Sequence, residues 1–247
     1  MYSAIKHSIK QAFRLLGFDL QRYIPKPRHS LPVLLNLYQV DAIFDIGANI
    51  GMSGEFFRSI GFKQKIVSFE PVSHLYRKLE KATIDDPLWF CENVALGDTF
   101  GELMINVSGS TGVSSSILNM TEITKNNAPD QRVTMQEKIK VKTLDSVIND
   151  YYPAGNRLFI KIDVQGYEKN VLDGARASLD RIIGMRVEMS IVNNYEGECL
   201  FHEMLPYLYS LGYKLVGIEI AWSNLPTQEI YQVDAILFRT DRLPPIT

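Results

Sequence analysis

At 247 residues the chain is long enough for one large α/β domain with a well-buried core. Its 46% apolar and 22% charged residues are ordinary for a globular protein, no apolar run approaches the ~20 residues of a membrane-spanning helix, and a net charge of −2 gives no global pull toward nucleic acid. Two cysteines, Cys91 and Cys199, exclude a disulfide framework and a C-x-x-C metal site and fit a reducing compartment.

Charge is unevenly spread. Residues 1–28 hold Lys6, Lys10, Arg14, Arg22, Lys26 and Arg28 against Asp19, a net +5, which leaves −7 for the rest. Over residues 3–16, Ile5, Ile9, Ala12, Phe13 and Leu16 share one helical face while Lys6, Lys10 and Arg14 lie off it. This short basic helix either packs on the domain or meets an anionic membrane surface. The N-terminus lacks the apolar core and small-residue cleavage site of a signal peptide. The expected location is therefore the cytoplasm, with peripheral contact at the inner membrane surface through residues 1–28. Pro25, Pro27 and Pro32 form a lead-in, and residues 31–38 read as a second short helix. Residues 1–40 thus precede a domain over 41–240, with a tail at 241–247.

The stretch DAIFDIGANIGMSG at 41–54 organises the domain. Ala42, Ile43, Phe44 and Ile46 have the character of a buried parallel strand. Asp45 lies near its end, where a carboxylate needs a partner. Gly47, Asn49 and Gly51 follow at every second position, letting the backbone pass close under a ligand. Phe56, Phe57 and Ile60 recur at helical spacing until Gly61 stops the helix. Strand, glycine turn and helix N-terminus make the nucleotide-binding corner of a doubly wound sheet. The spacing is G-x-N-x-G, not the G-x-G-x-x-G of a dinucleotide site. A carboxylate followed by this turn suits a cationic sulfonium ligand with an amino-acid tail better than a pyrophosphate. Glu70 closes the next strand, residues 66–69, where it can accept hydrogen bonds from both hydroxyls of a ribose.

The pattern then continues as strand and helix in alternation. A helix is expected from Ser73, a third strand over 88–94, and antiparallel strands over 102–107 and 132–141. The Ser-, Thr-, Asn- and Gly-rich stretch between them, 108–130, reads as a mobile loop or lid, so that 102–142 is an inserted hairpin and loop. Leu144 to Ile148 reads as a short helix. Further strands are expected over 158–163, 182–189, 213–219 and 231–238, with helices from Glu168 and over 199–211. The last two strands form a hairpin with a long connection. Seven strands, mostly parallel with the last antiparallel and helices on both faces, make a Rossmann-like α/β fold that resembles its methyltransferase variant.

Five segments carry a specific resemblance. They are FDIGANIG at 44–51, VSFEP at 67–71, NVALGD at 93–98, KIDVQGYE at 161–168 and VDAILF at 233–238. In this order and on these elements the chain resembles the FkbM-type methyltransferases, from about residue 40 to 240. The resemblance implies S-adenosylmethionine as cofactor and O-methylation of sugars, polyketides or cell-surface glycans. Carried over by position, Asp45, Gly47, Ala48, Asn49 and Gly51 line the methionine portion and Glu70 holds the ribose. Val94 stands where many relatives of the wider fold use Asp for the adenine amino group, so Asn93, or the main chain at Val94 and Ala95, takes that contact. The acceptor is a small molecule or glycan precursor, with no nucleic acid as partner.

The fourth strand bears on catalysis. Lys161 inside a central parallel strand is unusual and must find a carboxylate. Asp163 is on the same face two residues on, at the carboxyl end, beyond which ligands bind in open α/β sheets. Glu188, near the end of the next strand, can share the network. The group is either an ion pair that only fixes the sheet or a polar floor beneath the transferring methyl. An alcohol attacks a sulfonium methyl only with help from a base. Asp163 is the first candidate and Glu188 the second, while His74 and His202 read as surface or structural residues. The strand ends in IDVQG, not the turn expected for methylating exocyclic amines of bases, and the acidic residues do not match a Mg²⁺ pattern, so no catalytic metal is expected. Two other readings stay open: a nicotinamide oxidoreductase on a similar sheet, and a binding module without catalysis.

Overall fold

The computed structural model describes residues 31–244 except 110 and 225, together with 11, 14 and 15. The basic helix expected over 3–16 lies outside the described residues, apart from those three. The chain divides into two compact units, Met1–Ser30 and Leu31–Thr247, and the second carries the fold.

That unit opens ten residues ahead of the expected boundary, because α1 (Leu31–Leu37) buries Leu31, Leu34 and Leu35, and Tyr38 just after it stacks on Phe238 at 4.2 Å between ring centroids. All five residues of β1 (Ala42–Ile46) are buried, as a strand covered on both faces must be. There follow α2 (Met52–Ser59), β2 (Lys65–Phe69), α3 (Ser73–Thr83) and β3 (Trp89–Glu92). Next come β4 (Ala95–Leu96), β5 (Gly101–Ser108), α4 (Glu122–Asn127), β6 (Val133–Lys142) and α5 (Leu144–Tyr151). The chain ends with β7 (Leu158–Ile162), α6 (Glu168–Asp173), β8 (Ile182–Ser190), α7 (Phe201–Ser210), β9 (Lys214–Ser223) and β10 (Ile230–Phe238).

Seven strands form one sheet in the order β3-β2-β1-β7-β8-β10-β9. β1, β2, β3, β7 and β8 pair in parallel, and β10 runs antiparallel between β8 and β9. Alternation along β1 sends Ile43 to one face and Phe44 to the other. On the Ile43 face the core takes Leu34 and Leu35 of α1, Phe57 of α2 and Leu79 of α3. On the Phe44 face it takes Leu144 and Val147 of α5, Val171 and Leu172 of α6, and Met204 and Leu208 of α7. This is the expected fold.

Three strands leave the main sheet. β4, β6 and β5 make a second sheet in that order, with its own core of Val72, Leu75, Ile105, Val107, Ile139 and Val141. The expected third strand is thus two: β3 stays in the main sheet, and β4 pairs with β6 after the bend at Asn93-Val94. The stretch expected as an open loop, 108–130, contains α4 and is tied by isolated bridges from Asn106 to Ser116 and from Met120 to Tyr195. The side chains of Ser115, Ser116, Thr121 and Thr124 also bond to backbone at Ser108, Gln165, Asn193 and Asn194. Among the described residues no helix is long and apolar enough to cross a membrane.

Candidate active site

The carboxyl ends of β1, β2 and β7 converge on a cleft. Gly47 follows β1 with φ of 78°, and its N–H and that of Ala48 donate to the Phe69 carbonyl at the end of β2. A Cβ on Gly47 would lie 1.9 Å from the Asp163 carbonyl oxygen, so only glycine lets the two strand ends close together here. Asn49 is also left-handed, at φ of 51°, and its N–H donates 2.8 Å to Glu70 Oε2. The Val72 N–H donates 2.8 Å to the other oxygen of Glu70. Burial pushes the Glu70 carboxyl up to about 8, against the pull of those two amides. Gly54 sits in the first turn of α2 because a Cβ there would meet the Trp89 ring at 2.0 Å.

This turn and Glu70 edge a cleft. Gly47, Ala48, Asn49, Met52 and Ser53 line one end, and Glu70 lies on the wall. Val94, Leu96, Ile105 and Ile117 form an apolar slot, and Lys161, Asp163 and Gln165 border the rest. A second cavity adjoins it, lined by Ser114, Thr124, Gln131, Asn194, Tyr195, Trp222 and Gln232 as well as Glu188. Asp163, Gln165 and Val113 line both.

A polar chain crosses the sheet beneath these cavities. Trp89 Nε1 donates 2.9 Å to Ser68 Oγ, and Ser68 Oγ donates 3.4 Å to Asp45 Oδ2. Asp45 Oδ1 has no hydrogen bond and faces Lys161 Nζ at 3.4 Å. The same ammonium lies 3.2 Å from Asp163 Oδ2 and donates 3.1 Å to the Gly47 carbonyl. Burial pulls the Lys161 ammonium down, but the Asp163 and Asp45 charges together outweigh it and hold it above its ordinary value. Burial raises Asp45, with the Lys161 charge opposing. Gln165 Nε2 donates 2.8 Å to Asp163 Oδ1 and 2.6 Å to Glu188 Oε2, which Gln232 Nε2 reaches at 2.9 Å. Burial, then the charges of Asp163, Glu168 and Asp234, keep Glu188 well above the usual carboxylate range, with Lys161 opposing. Among the described residues no group of three or more His, Cys, Asp or Glu side chains is placed to hold a metal ion.

Of the residues expected at the cofactor, Gly47, Ala48, Asn49, Glu70, Val94 and Ala95 line the cleft. Three do not. Asp45 is fully buried under the floor, turned to Lys161 rather than to the cleft. Gly51, with φ of 102°, opens α2 against Leu79 and Trp89. Asn93 Nδ2 donates to the Glu70 and Pro71 carbonyls at 2.8 and 2.9 Å, bracing the end of β2. Lys161 borders the first cavity, Glu188 the second and Asp163 both. Sequence reasoning missed Gln165, Tyr195 and Gln232. For Gln165 the signal was the glycine after it, which marks a tight turn beyond β7. Glu168 was placed only as a helix start, yet its buried carboxylate accepts the Val164 and Gly166 amides at 3.0 and 3.1 Å and so holds that turn.

A sheet of this order, with a glycine turn after its first strand and a buried carboxylate closing the second, defines the S-adenosylmethionine-dependent methyltransferases. The description of the Methyltransferase FkbM domain matches residues 45–215, and the chain belongs to that family. Its cofactor is S-adenosylmethionine, and the nicotinamide reading falls away. The residues fit that group. Glu70 retains lone pairs for a ribose diol after accepting two amides, the Val94–Leu96 slot is apolar, and the first amides of α2 have no intrahelical acceptor and so suit a carboxylate.

Solved structures with a similar backbone include M. capricolum TrmK in complex with S-adenosyl-homocysteine, 9% identical, covering 85% of this chain and 69% of that one at a TM-score of 0.46. Another is Aeropyrum pernix fibrillarin with natively bound S-adenosyl-L-methionine, 12% identical, covering 79% and 66% at 0.45. A third is an rRNA methylase from Streptococcus thermophilus, 11% identical, covering 87% and 98% at 0.46. No curated protein matches the chain significantly.

Proposed function

We propose that this methyltransferase acts on oxygen, with a hydroxyl of a sugar, glycan precursor or related small polyol as acceptor. The observation that supports it most is Asp163, a carboxylate lining both cavities where they meet. The second cavity offers amides at Gln131, Asn194 and Gln232, hydroxyls at Ser114 and Thr124, and the aromatic rings of Trp222 and Tyr195. A polyol wants hydrogen bonds at its edges and an aromatic surface under its C–H face. No Lys, Arg or His is among the described residues lining that cavity. A phosphate near the reacting hydroxyl would find no cationic side chain on that lining to pair with, so the acceptor is uncharged there. The same acidity, and the −7 net charge of residues 29–247, argue against a nucleic-acid partner.

S-adenosylmethionine, when bound, supplies a methyl group on a positively charged sulfur. The chain's own part is to hold the acceptor hydroxyl in line with it, exclude water and take the hydroxyl proton. Lys161 is fixed as a cation by Asp45 and Asp163, so it orients Asp163 and does not act as a base. Asp163 takes the proton, and Glu188 stands next to it as the second carboxylate. A labelled-methyl assay over neutral sugars, phosphorylated sugars and RNA tests this reading. Label on neutral hydroxyls is expected, and Asp163→Asn should lower turnover by about 10²–10⁴ while cofactor affinity holds. Label confined to RNA or to nitrogen would overturn it, and cofactor binding with no transfer to any acceptor would point to a binding module.

For residues 1–28 we propose peripheral attachment to an anionic membrane on the cytoplasmic side, on the strength of their net +5. Salt-sensitive flotation with anionic liposomes should vanish when residues 1–20 are deleted. Equal flotation of the shortened chain would refute it.

A further inference from the structure

Gln165 stands at the seam between the two cavities. Its φ is 56°, in the left-handed region that a side chain makes unfavourable, and Gly166 follows at 95°. Strain of this kind persists where surroundings over-determine it, and it gathers at functional sites. The surroundings here are specific. The Gln165 carbonyl accepts 2.6 Å from Ser116 Oγ. Both N–H bonds of its side-chain amide are used, one toward Asp163 Oδ1 and one toward Glu188 Oε2. The amide oxygen accepts 2.6 Å from the Tyr195 hydroxyl. A flipped amide would press its oxygen against two carboxylate oxygens, so charge fixes this orientation.

The bridge has consequences for both acids. Asp163 has Oδ2 on Lys161 and Oδ1 on Gln165. Glu188 Oε2 takes two amide donors, from Gln165 and Gln232. Donors on Oε2 leave no room for a proton there, so a proton or an acceptor hydroxyl must go to Oε1. Two carboxylates side by side repel, and Lys161 contacts only one of them. A neutral group with two donors offsets that repulsion. Glutamate at 165 would instead add a third negative charge, and leucine would offer no donor.

We propose that Gln165 is a positioning residue of the acceptor site, holding Asp163 and Glu188 together and presenting Glu188 Oε1 to the acceptor. The proposal rests on the reading that the second cavity receives the acceptor. Its test does not need the acceptor. Infrared difference spectra over a pH series follow the protonated carboxyl band of Glu188, identified by its loss in Glu188→Gln. In Gln165→Leu the titration midpoint should rise by about one to two pH units, the effect of losing one hydrogen bond to a charged group. In Gln165→Glu, which keeps the shape and the contact with Tyr195, it should rise at least as far. With an acceptor in hand, kcat should fall about 10–100-fold in Gln165→Leu, and KM should change less. Near-ultraviolet circular dichroism reports whether each variant is folded. An unmoved midpoint in a folded Gln165→Leu protein overturns the proposal, and so does failure of both variants to fold, since the role is then structural. A wild type that methylates no hydroxyl while the infrared shift is present removes the acceptor reading alone.

Discussion

Replacing Lys161 with methionine tests the reading of the polar chain most directly. The ammonium is within 3.4 Å of Asp45 and 3.2 Å of Asp163, and it donates to the Gly47 carbonyl. Methionine keeps much of the volume and removes all three interactions. Asp163 is one-third exposed at its side chain and can turn to water, whereas Asp45 is wholly buried. Asp45 would keep only the weak bond from Ser68. Breaking a buried pair from one side costs about 3–5 kcal/mol, a large part of the roughly 5–15 kcal/mol that holds a domain folded. Protonation of Asp45 avoids that cost, which gives the effect a pH signature. Burial already raises Asp45 and Lys161 opposes the rise, so the variant's Asp45 titrates higher still. A carboxyl raised in the folded state binds a proton that the unfolded chain releases above its ordinary value of about 4. Stability is therefore kept at the acid end and lost as pH rises through the folded value. Urea unfolding of wild type and Lys161→Met should show a gap that is small at pH 5 and widens by pH 8. Adding Asp45→Asn should close most of the gap at pH 8. A gap that is constant with pH, or unaffected by Asp45→Asn, would refute the idea that Lys161 is present to neutralise Asp45.

Other outcomes follow from the cleft. With a carboxyl at about 8, Glu70 is mostly protonated at pH 7, and ionising it to accept a ribose diol should release up to about 0.9 proton on cofactor binding. Calorimetry in buffers of different ionisation enthalpy reads that proton, and Glu70→Gln should abolish it; buffer-independent heats in the wild type would remove Glu70 from the role. Gly47→Ala should weaken cofactor binding more than tenfold and lower the urea midpoint, because its Cβ would fall 1.9 Å from the Asp163 carbonyl oxygen and left-handed φ adds about 1–2 kcal/mol; unchanged affinity would contradict this geometry. Glu70 and Glu168, both pushed to about 8 by burial, stabilise the cofactor-free fold below pH 4.5 and lose that contribution between pH 4.5 and 8. The melting temperature should fall over that range, and Glu168→Gln should flatten the decline.

One wall of the cleft was legible in the sequence because it is built locally. A buried strand, a turn that needs positive φ and a helix start are consecutive, so Gly47, Ala48 and Asn49 reach the cleft by chain geometry alone. Glu70 ends the neighbouring strand for the same reason. Asp45 lies beneath the cleft rather than on its wall because its partner is not local. Lys161 was expected to seek a carboxylate and found two, and the register that sets Asp45 opposite Lys161 joins strands more than a hundred residues apart. Asn93 lies off the cleft wall because the chain bends there and its amide turns back onto the end of β2.

The second cavity shows where such reading stops. Its walls come from the 113–131 segment, the turn after β7, the end of β8 and the β9–β10 hairpin. No period or motif joins those stretches; only the placement of β10 between β8 and β9 brings Gln232 to Glu188. The polar residues there mark no element in the sequence, since a glutamine in a strand or a loop looks like any surface residue. What separates Gln165 from the others is its cost: a strained backbone and four hydrogen bonds spent on one side chain and its carbonyl. The wall of the first cleft is written in consecutive residues, whereas the second cavity is assembled from distant ones.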